Sequence, residues 1–319
     1  MLIALPINCT ILFCSLFLIL PAKAEEVFVT STIEVDTSTT EVDYEVKMDR
    51  ELIEEPSIRV GLLKTNDTIK FKSETEYEIY SGDEMVGVLS AIEVAKINYK
   101  KGKYFLISKS LNLESEKFWR LVPIGDGGVF EIPGCKRTIT GRKINYCAYR
   151  GILEYCYGQK SKMPYLINEL PLEDYMKGIA ETDNNSAQGY IKAVLVAARS
   201  YAYKNISFDP PTNKRMFDVY ATTQDQLYLG YTSEKKMPRI AQFAEETAGE
   251  MVSYNGSVVT TPYFTHTNGR TKDWKNSAGK NDRPWLMSVE CVYDKYKKMY
   301  GHGIGMSTHD ALMRATKDG

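Results

Sequence analysis

Glu181 is a lone carboxyl group at the head of a polar hinge, Ala180-Glu181-Thr182-Asp183-Asn184-Asn185-Ser186, which leads directly into an apolar helical pattern. It is a candidate acid. Three further clusters offer hydrogen-bonding chemistry. Gly301-His302-Gly303-Ile304-Gly305-Met306-Ser307 joins an imidazole and a hydroxyl to glycines that permit close backbone approach. Tyr263-Phe264-Thr265-His266-Thr267-Asn268-Gly269-Arg270-Thr271, alternating along a strand, would gather hydroxyl, imidazole and amide groups on one face. Such a face suits a sugar or a peptide; a hydrated edge strand is the plainer reading. Thr222-Thr223-Gln224-Asp225-Gln226-Leu227-Tyr228-Leu229-Gly230 combines amides and phenols in the same way. All 3 histidines, His266, His302 and His309, fall in the last part of the chain. Their spacing is not that of a helix-borne metal pair, so hydrogen bonding to a polar ligand is preferred over a zinc site.

The elements that must position these groups are short. Ile58-Arg59-Val60-Gly61-Leu62, Ile69-Lys70-Phe71, Tyr77-Glu78-Ile79-Tyr80 and Tyr104-Phe105-Leu106-Ile107 read as half-buried strands separated by turn signals. They define a small β-rich region over 56–135. Tyr149 to Tyr155 and Tyr165-Leu166-Ile167 read as a hairpin leading into a mixed strand-and-helix domain over 145–319. There Pro171 suits the first turn of a short helix, Leu172 to Ile179. Ser186 is the expected N-cap of the next helix, with Ile191, Val194, Leu195, Ala198 and Tyr201 or Ala202 on one face. A third helix is expected from Arg239 to Ala248, stopping at Gly249. Asn255-Gly256 is a two-residue hairpin signal. The fold class is α+β.

Residues 1–24 read as an export leader, with an apolar run from Ile11 to Leu20 and a small-x-small site, Ala22-Lys23-Ala24. Cleavage after Ala24 would place the protein outside the cytoplasm, secreted or held at the cell surface. An uncleaved anchor is the alternative, disfavoured by Pro6, Asn8 and Thr10 within the run. Residues 25–55 are acidic and poor in aromatics, which predicts a solvated tether. A formal net charge of -1 argues against nucleic acid as a partner. Past the leader lie Cys135, Cys147, Cys156 and Cys291, with no Cys-x-x-Cys pair. Either Cys147 pairs with Cys156 or the thiols are separately buried.

From about Ile58 onward the chain resembles the sporulation stage II protein D (SpoIID) family, which includes the LytB amidase enhancers. The residues carrying the resemblance are Leu170-Pro171-Leu172-Glu173-Asp174-Tyr175, Gly178 to Glu181, Lys192-Ala193, Ala197-Ala198-Arg199-Ser200-Tyr201-Ala202, Gln226-x-Tyr228-x-Gly230, Gly269-Arg270-Thr271 and the C-terminal glycine motif. The resemblance implies action on peptidoglycan outside the cytoplasm. Some members are lytic transglycosylases that cut between N-acetylmuramic acid and N-acetylglucosamine, with a catalytic glutamate that matches Glu181. Gln226, Tyr228, His266, Asn268, Arg270, His302 and Ser307 are then expected to bind the sugar rings. A non-catalytic wall-binding partner that stimulates an N-acetylmuramoyl-L-alanine amidase is the alternative. Relatives that bind zinc carry His and Cys where this chain has Gln224 and Asp225, so no metal or other cofactor is expected. The chain also departs from the family pattern at Thr182 to Asn185 and at Val194. It ends at Gly319, where relatives usually continue, which suggests a truncated gene.

Overall fold

The computed structural model describes residues 27–33, 51–139, 144–206 and 215–318. The expected leader and its cleavage site lie outside the described residues. Among the described residues no helix is long and apolar enough to cross a membrane.

The alternating runs of the sequence fold as strands because their odd positions bury and their even positions stay wet. Ile69–Ser73 and Tyr77–Ser81 both show this alternation. A seven-stranded sheet runs in the order Val219–Tyr220, Ser57–Lys64, Met163–Pro171, Ile152–Gly158, Trp119–Pro123, Tyr77–Ser81, Glu84–Leu89. A six-stranded sheet runs Ala148–Arg150, Val129–Glu131, Ile69–Ser73, Ala95–Lys100, Lys103–Ile107, Asn112–Ser115. Strands from before residue 135 and after residue 145 share both sheets. One apolar core, including Phe71, Ile79, Ile97, Leu121, Leu153, Leu166, Met176 and Leu195, runs through them and under the helices. The fold is α+β.

The helices are α1 (Leu172–Lys177), α2 (Gln188–Asn205), α3 (Gly230–Lys236), α4 (Pro238–Glu246), α5 (Trp274–Ala278) and α6 (Thr308–Lys317). Pro171 ends the long strand Met163–Pro171 in extended geometry and acts as the N-cap of α1, one position earlier than expected. Ala187, not Ser186, caps α2, and no side chain caps it. The Ser186 hydroxyl instead lies 3.5 Å from that of Thr182. Asn255 and Gly256 both adopt positive φ between Glu250–Tyr254 and Ser257–Val258, the hairpin that the dipeptide signals.

Arg199 ties α1, α2 and α4 together. Its guanidinium is fully buried, donates from Nε and Nη2 to Glu173 at 2.8 Å each, and donates to the Ala244 carbonyl at 3.0 Å. Glu173 also accepts from Gly249 N–H. The recognisable Ala197 to Ala202 motif is thus a structural clamp. It fixes the base of the helical layer.

Two expectations are corrected here. The 25–55 segment contains the strands Val27–Ile33 and Glu51–Glu54, which extend Glu250–Tyr254 into a four-stranded sheet, so it is not wholly a tether. Cys147 pairs with Cys135, not with Cys156. Cys147 directly precedes the strand Ala148–Arg150 of the six-stranded sheet, whereas Cys156 lies inside the seven-stranded one, beside Ile167 and Phe217. Burial pushes the Cys156 thiol up to about 12, so it is an inert core residue.

Candidate active site

Local pairing positions Glu181. Just after α1, Ile179 and Tyr228 form an antiparallel bridge, Ala180 N–H donates to Leu227 at 2.8 Å, and Leu229 N–H donates to Gly178 at 2.9 Å. This register leaves the Leu227 N–H pointing at the next side chain, and it donates to Glu181 Oε1. Gly178 is required: a Cβ there would collide with the Tyr228 ring at 2.5 Å.

Beneath the acid lies a saturated polar network. Gln226 accepts from the Tyr175 hydroxyl at 2.9 Å and donates to the Ala198 carbonyl at 3.1 Å and the Tyr263 hydroxyl at 3.3 Å. Tyr228 stacks on Tyr175 with ring centroids 4.9 Å apart and donates to Asn168 at 3.0 Å. Glu181 itself is half-buried. Burial raises its pKa, and the Leu227 N–H only partly opposes that rise. Tyr190 of α2 and Tyr263 complete the surround, and both phenols sense the Glu181 charge. The Tyr190 phenol also lies beside Thr182 and Thr308, which brings the start of α6 to the rim.

Residues 160–254 match the family model described as SpoIID, Stage II sporulation protein. This stretch is a SpoIID domain. It carries the Arg199 clamp, Glu181, Gln226 and Tyr228. A 134-residue alignment at 35% identity relates the chain to an uncharacterized protein of Brachyspira hyodysenteriae, covering 40% of this chain and 35% of that relative. The chain therefore spans well under half the length of the curated relative it matches. Tyr263 and Thr308, which help to frame Glu181, lie C-terminal to the matched SpoIID stretch.

The other expected site residues divide into two sets. Gln226 and Tyr228 are each 1% exposed and fully occupied, so they support Glu181 from below and have no surface to offer a sugar. Ser307 is likewise buried: its hydroxyl donates to Asp294 at 2.6 Å. His302 lies in the glycine segment with both ring nitrogens committed, Nδ1 accepting from Ile304 N–H at 3.0 Å and Nε2 lying 3.2 Å from the Tyr263 carbonyl. Burial lowers its pKa, so it stays neutral and braces the strand that carries Tyr263. The expectation that Gln226, Tyr228 and Ser307 bind sugar is corrected to a supporting role, whereas His302 is exposed. His266 bridges to Tyr300 by backbone pairing, while Asn268 and Arg270 are exposed, with Arg270 donating to Ser288. Among the described residues no hydrogen bond joins these three to Glu181.

Sequence reasoning missed Tyr190 and the carboxylate Asp294. Asp294 is fully buried and accepts from Thr267 N–H at 2.7 Å, from Ser307, and from His309 Nδ1 at 2.7 Å. Burial alone would raise its pKa, but these donors hold it below the usual carboxylate range. It knots the strand Tyr263–Phe264, the glycine segment and α6 into one lobe. No sequence signal marks it, because its donors are distant in the chain. Among the described residues no three His, Cys, Asp or Glu side chains converge as a metal-holding group.

Proposed function

We propose that this protein is a lytic transglycosylase that cuts peptidoglycan glycan strands between N-acetylmuramic acid and N-acetylglucosamine, with Glu181 as acid and then base. The observation that carries this reading is the state of Glu181: half-buried, fixed through one oxygen by the Leu227 N–H, with a pKa raised by burial. A carboxyl group so placed holds its proton more firmly than a solvated one and has its second oxygen free to donate it.

The chemistry balances on one residue. Glu181 gives its proton to the glycosidic oxygen as the bond from C1 of muramic acid breaks, and the N-acetylglucosamine end leaves as an alcohol. The carboxylate then takes the proton of the muramic acid C6 hydroxyl as O6 bonds to C1. The product is a 1,6-anhydro ring, and Glu181 is protonated again. No water and no second carboxylate take part, unlike the two-carboxylate glycosidases. The neighbouring Asp225 is committed elsewhere: it accepts from the Tyr201 hydroxyl, Arg215 and Tyr220 N–H, and its side chain is 3% exposed. The matched SpoIID stretch and the export leader expected from the sequence support a wall polymer as substrate.

The test is mass spectrometry of soluble products from peptide-free glycan strands. Wild-type protein should release anhydro-ended saccharides and Glu181→Gln should release none. Anhydro products from the Gln variant would overturn the assignment. Strand binding without products from either protein, together with faster cleavage by an added amidase, would favour the enhancer reading instead.

A further inference from the structure

A cavity of about 350 Å³ beside the adjacent strands Ala148–Arg150, Val129–Glu131 and Ile69–Ser73 has both charge signs on its walls, including Lys72, Glu74 and Glu131, and points to no ligand class. A second cavity differs. It encloses about 470 Å³, within the size range of small-molecule sites, and is walled by Tyr157, Tyr165, Phe217 and Tyr220. Arg59, Lys160 and Arg215 also line it, and among the described residues no acidic one does. The Tyr165 and Phe217 rings lie 5.4 Å apart and those of Phe217 and Tyr220 4.7 Å apart, so the aromatic wall is continuous. Arg59 is paired with Glu154 and Arg215 with Asp225. Lys160 is exposed and has no carboxylate partner among the described residues.

We infer that this cavity is a distal subsite for a carboxylate-bearing pyranose unit of the glycan strand, and the inference rests on the proposed transglycosylase reading. Aromatic faces pack against the C–H faces of a sugar ring, and a cation with no carboxylate partner among the described residues favours an anionic group. A muramoyl residue free of peptide supplies that group as its lactyl carboxylate. The cavity is joined to the acid by one short segment. Tyr220 N–H and Arg215 hold Asp225, Gln226 supports Tyr263, and Leu227 N–H holds Glu181. A strand occupying both places is longer than a single disaccharide, so the subsite confers preference for long strands.

The experiment measures equilibrium binding of peptide-free glycan strands and of neutral N-acetylglucosamine oligomers to full-length protein carrying Glu181→Gln, which prevents turnover. Adding Lys160→Glu should weaken strand binding about tenfold and leave the neutral oligomers unchanged. Adding Tyr220→Leu, checked for native circular dichroism, should weaken both. Lys160→Arg should restore the strand affinity. With Glu181 intact, Lys160→Glu should raise KM on long strands with kcat unchanged. Unaltered strand affinity in the folded variants, or equal weakening of neutral and anionic ligands by Lys160→Glu, would overturn the subsite. Absence of anhydro products from the protein with Glu181 intact would count against the transglycosylase reading alone, because the binding measurement does not depend on cleavage.

Discussion

Glu181 and Asp294 are both drawn away from water, yet Glu181 accepts one hydrogen bond from Leu227, whereas Asp294 accepts from Thr267, Ser307 and His309. Burial pushes both carboxyl groups toward the protonated form. The number of donors decides which way each one ends: up for Glu181, down for Asp294. A carboxylate with its oxygens saturated holds structure together. One with an oxygen left over can do chemistry. The two lobes meet where Thr308 lies beside the Tyr190 phenol, so the structural carboxylate steadies the rim around Glu181.

The comparison breaks most sharply at Glu181→Gln. It should cost about 100-fold or more in release of anhydro products, the scale of general acid–base catalysis, with the fold intact. Asp294→Ala tests the other lobe. Removing the buried acceptor strands three donors, so urea unfolding should show a loss of about 3–5 kcal/mol. A loss under about 1 kcal/mol would mean that the knot is not the lobe's main fastening. Next comes Cys135→Ser, which opens the Cys135–Cys147 link and should cost about 3 kcal/mol, measured against wild type with and without reductant.

The smallest effect is in pH. Folding raises the Glu181 pKa above its ordinary 4.5, so the protonated form is favoured in the native state. That contribution is complete below pH 4.5 and is lost as pH climbs through the raised value. Glu181→Gln should therefore match wild type in acid and become the more stable protein above that window. The kcat/KM of wild type should fall over the same climb, as the acid loses its proton. Asp294 runs the opposite way: its depressed pKa gives stability present above its ordinary 3.8 and lost as pH drops below. Thermal melts of wild type and Glu181→Gln across pH 3 to 8 separate the two, and parallel curves would remove the desolvation argument for Glu181.

Much of the fold was legible because the signals were local. The Asn255-Gly256 turn, the alternating strands and the apolar face of α2 depend only on neighbours a few residues away. Glu181 was marked as a candidate by motif context. Gln226, Tyr228 and Ser307 were placed at the site by sequence, but their roles were misassigned. A polar side chain in a motif looks the same whether it faces a ligand or is fully spent on Tyr175, Asn168 or Asp294. The cysteines fail for a related reason: the shortest separation, Cys147 to Cys156, crosses from one sheet to another.

By itself the sequence determined the alternating strands, the helix α2 and the α+β class, and it marked Glu181 as a candidate acid, since periodicity, turn residues and motif spacing act over short stretches of chain. Only the tertiary structure decided that Leu227 grips Glu181, that Tyr190 and Tyr263 enclose it, and that Asp294 binds the C-terminal lobe. Burial and hydrogen-bond saturation are properties of groups brought together from distant positions, and those two quantities separate a catalytic carboxyl group from a structural one.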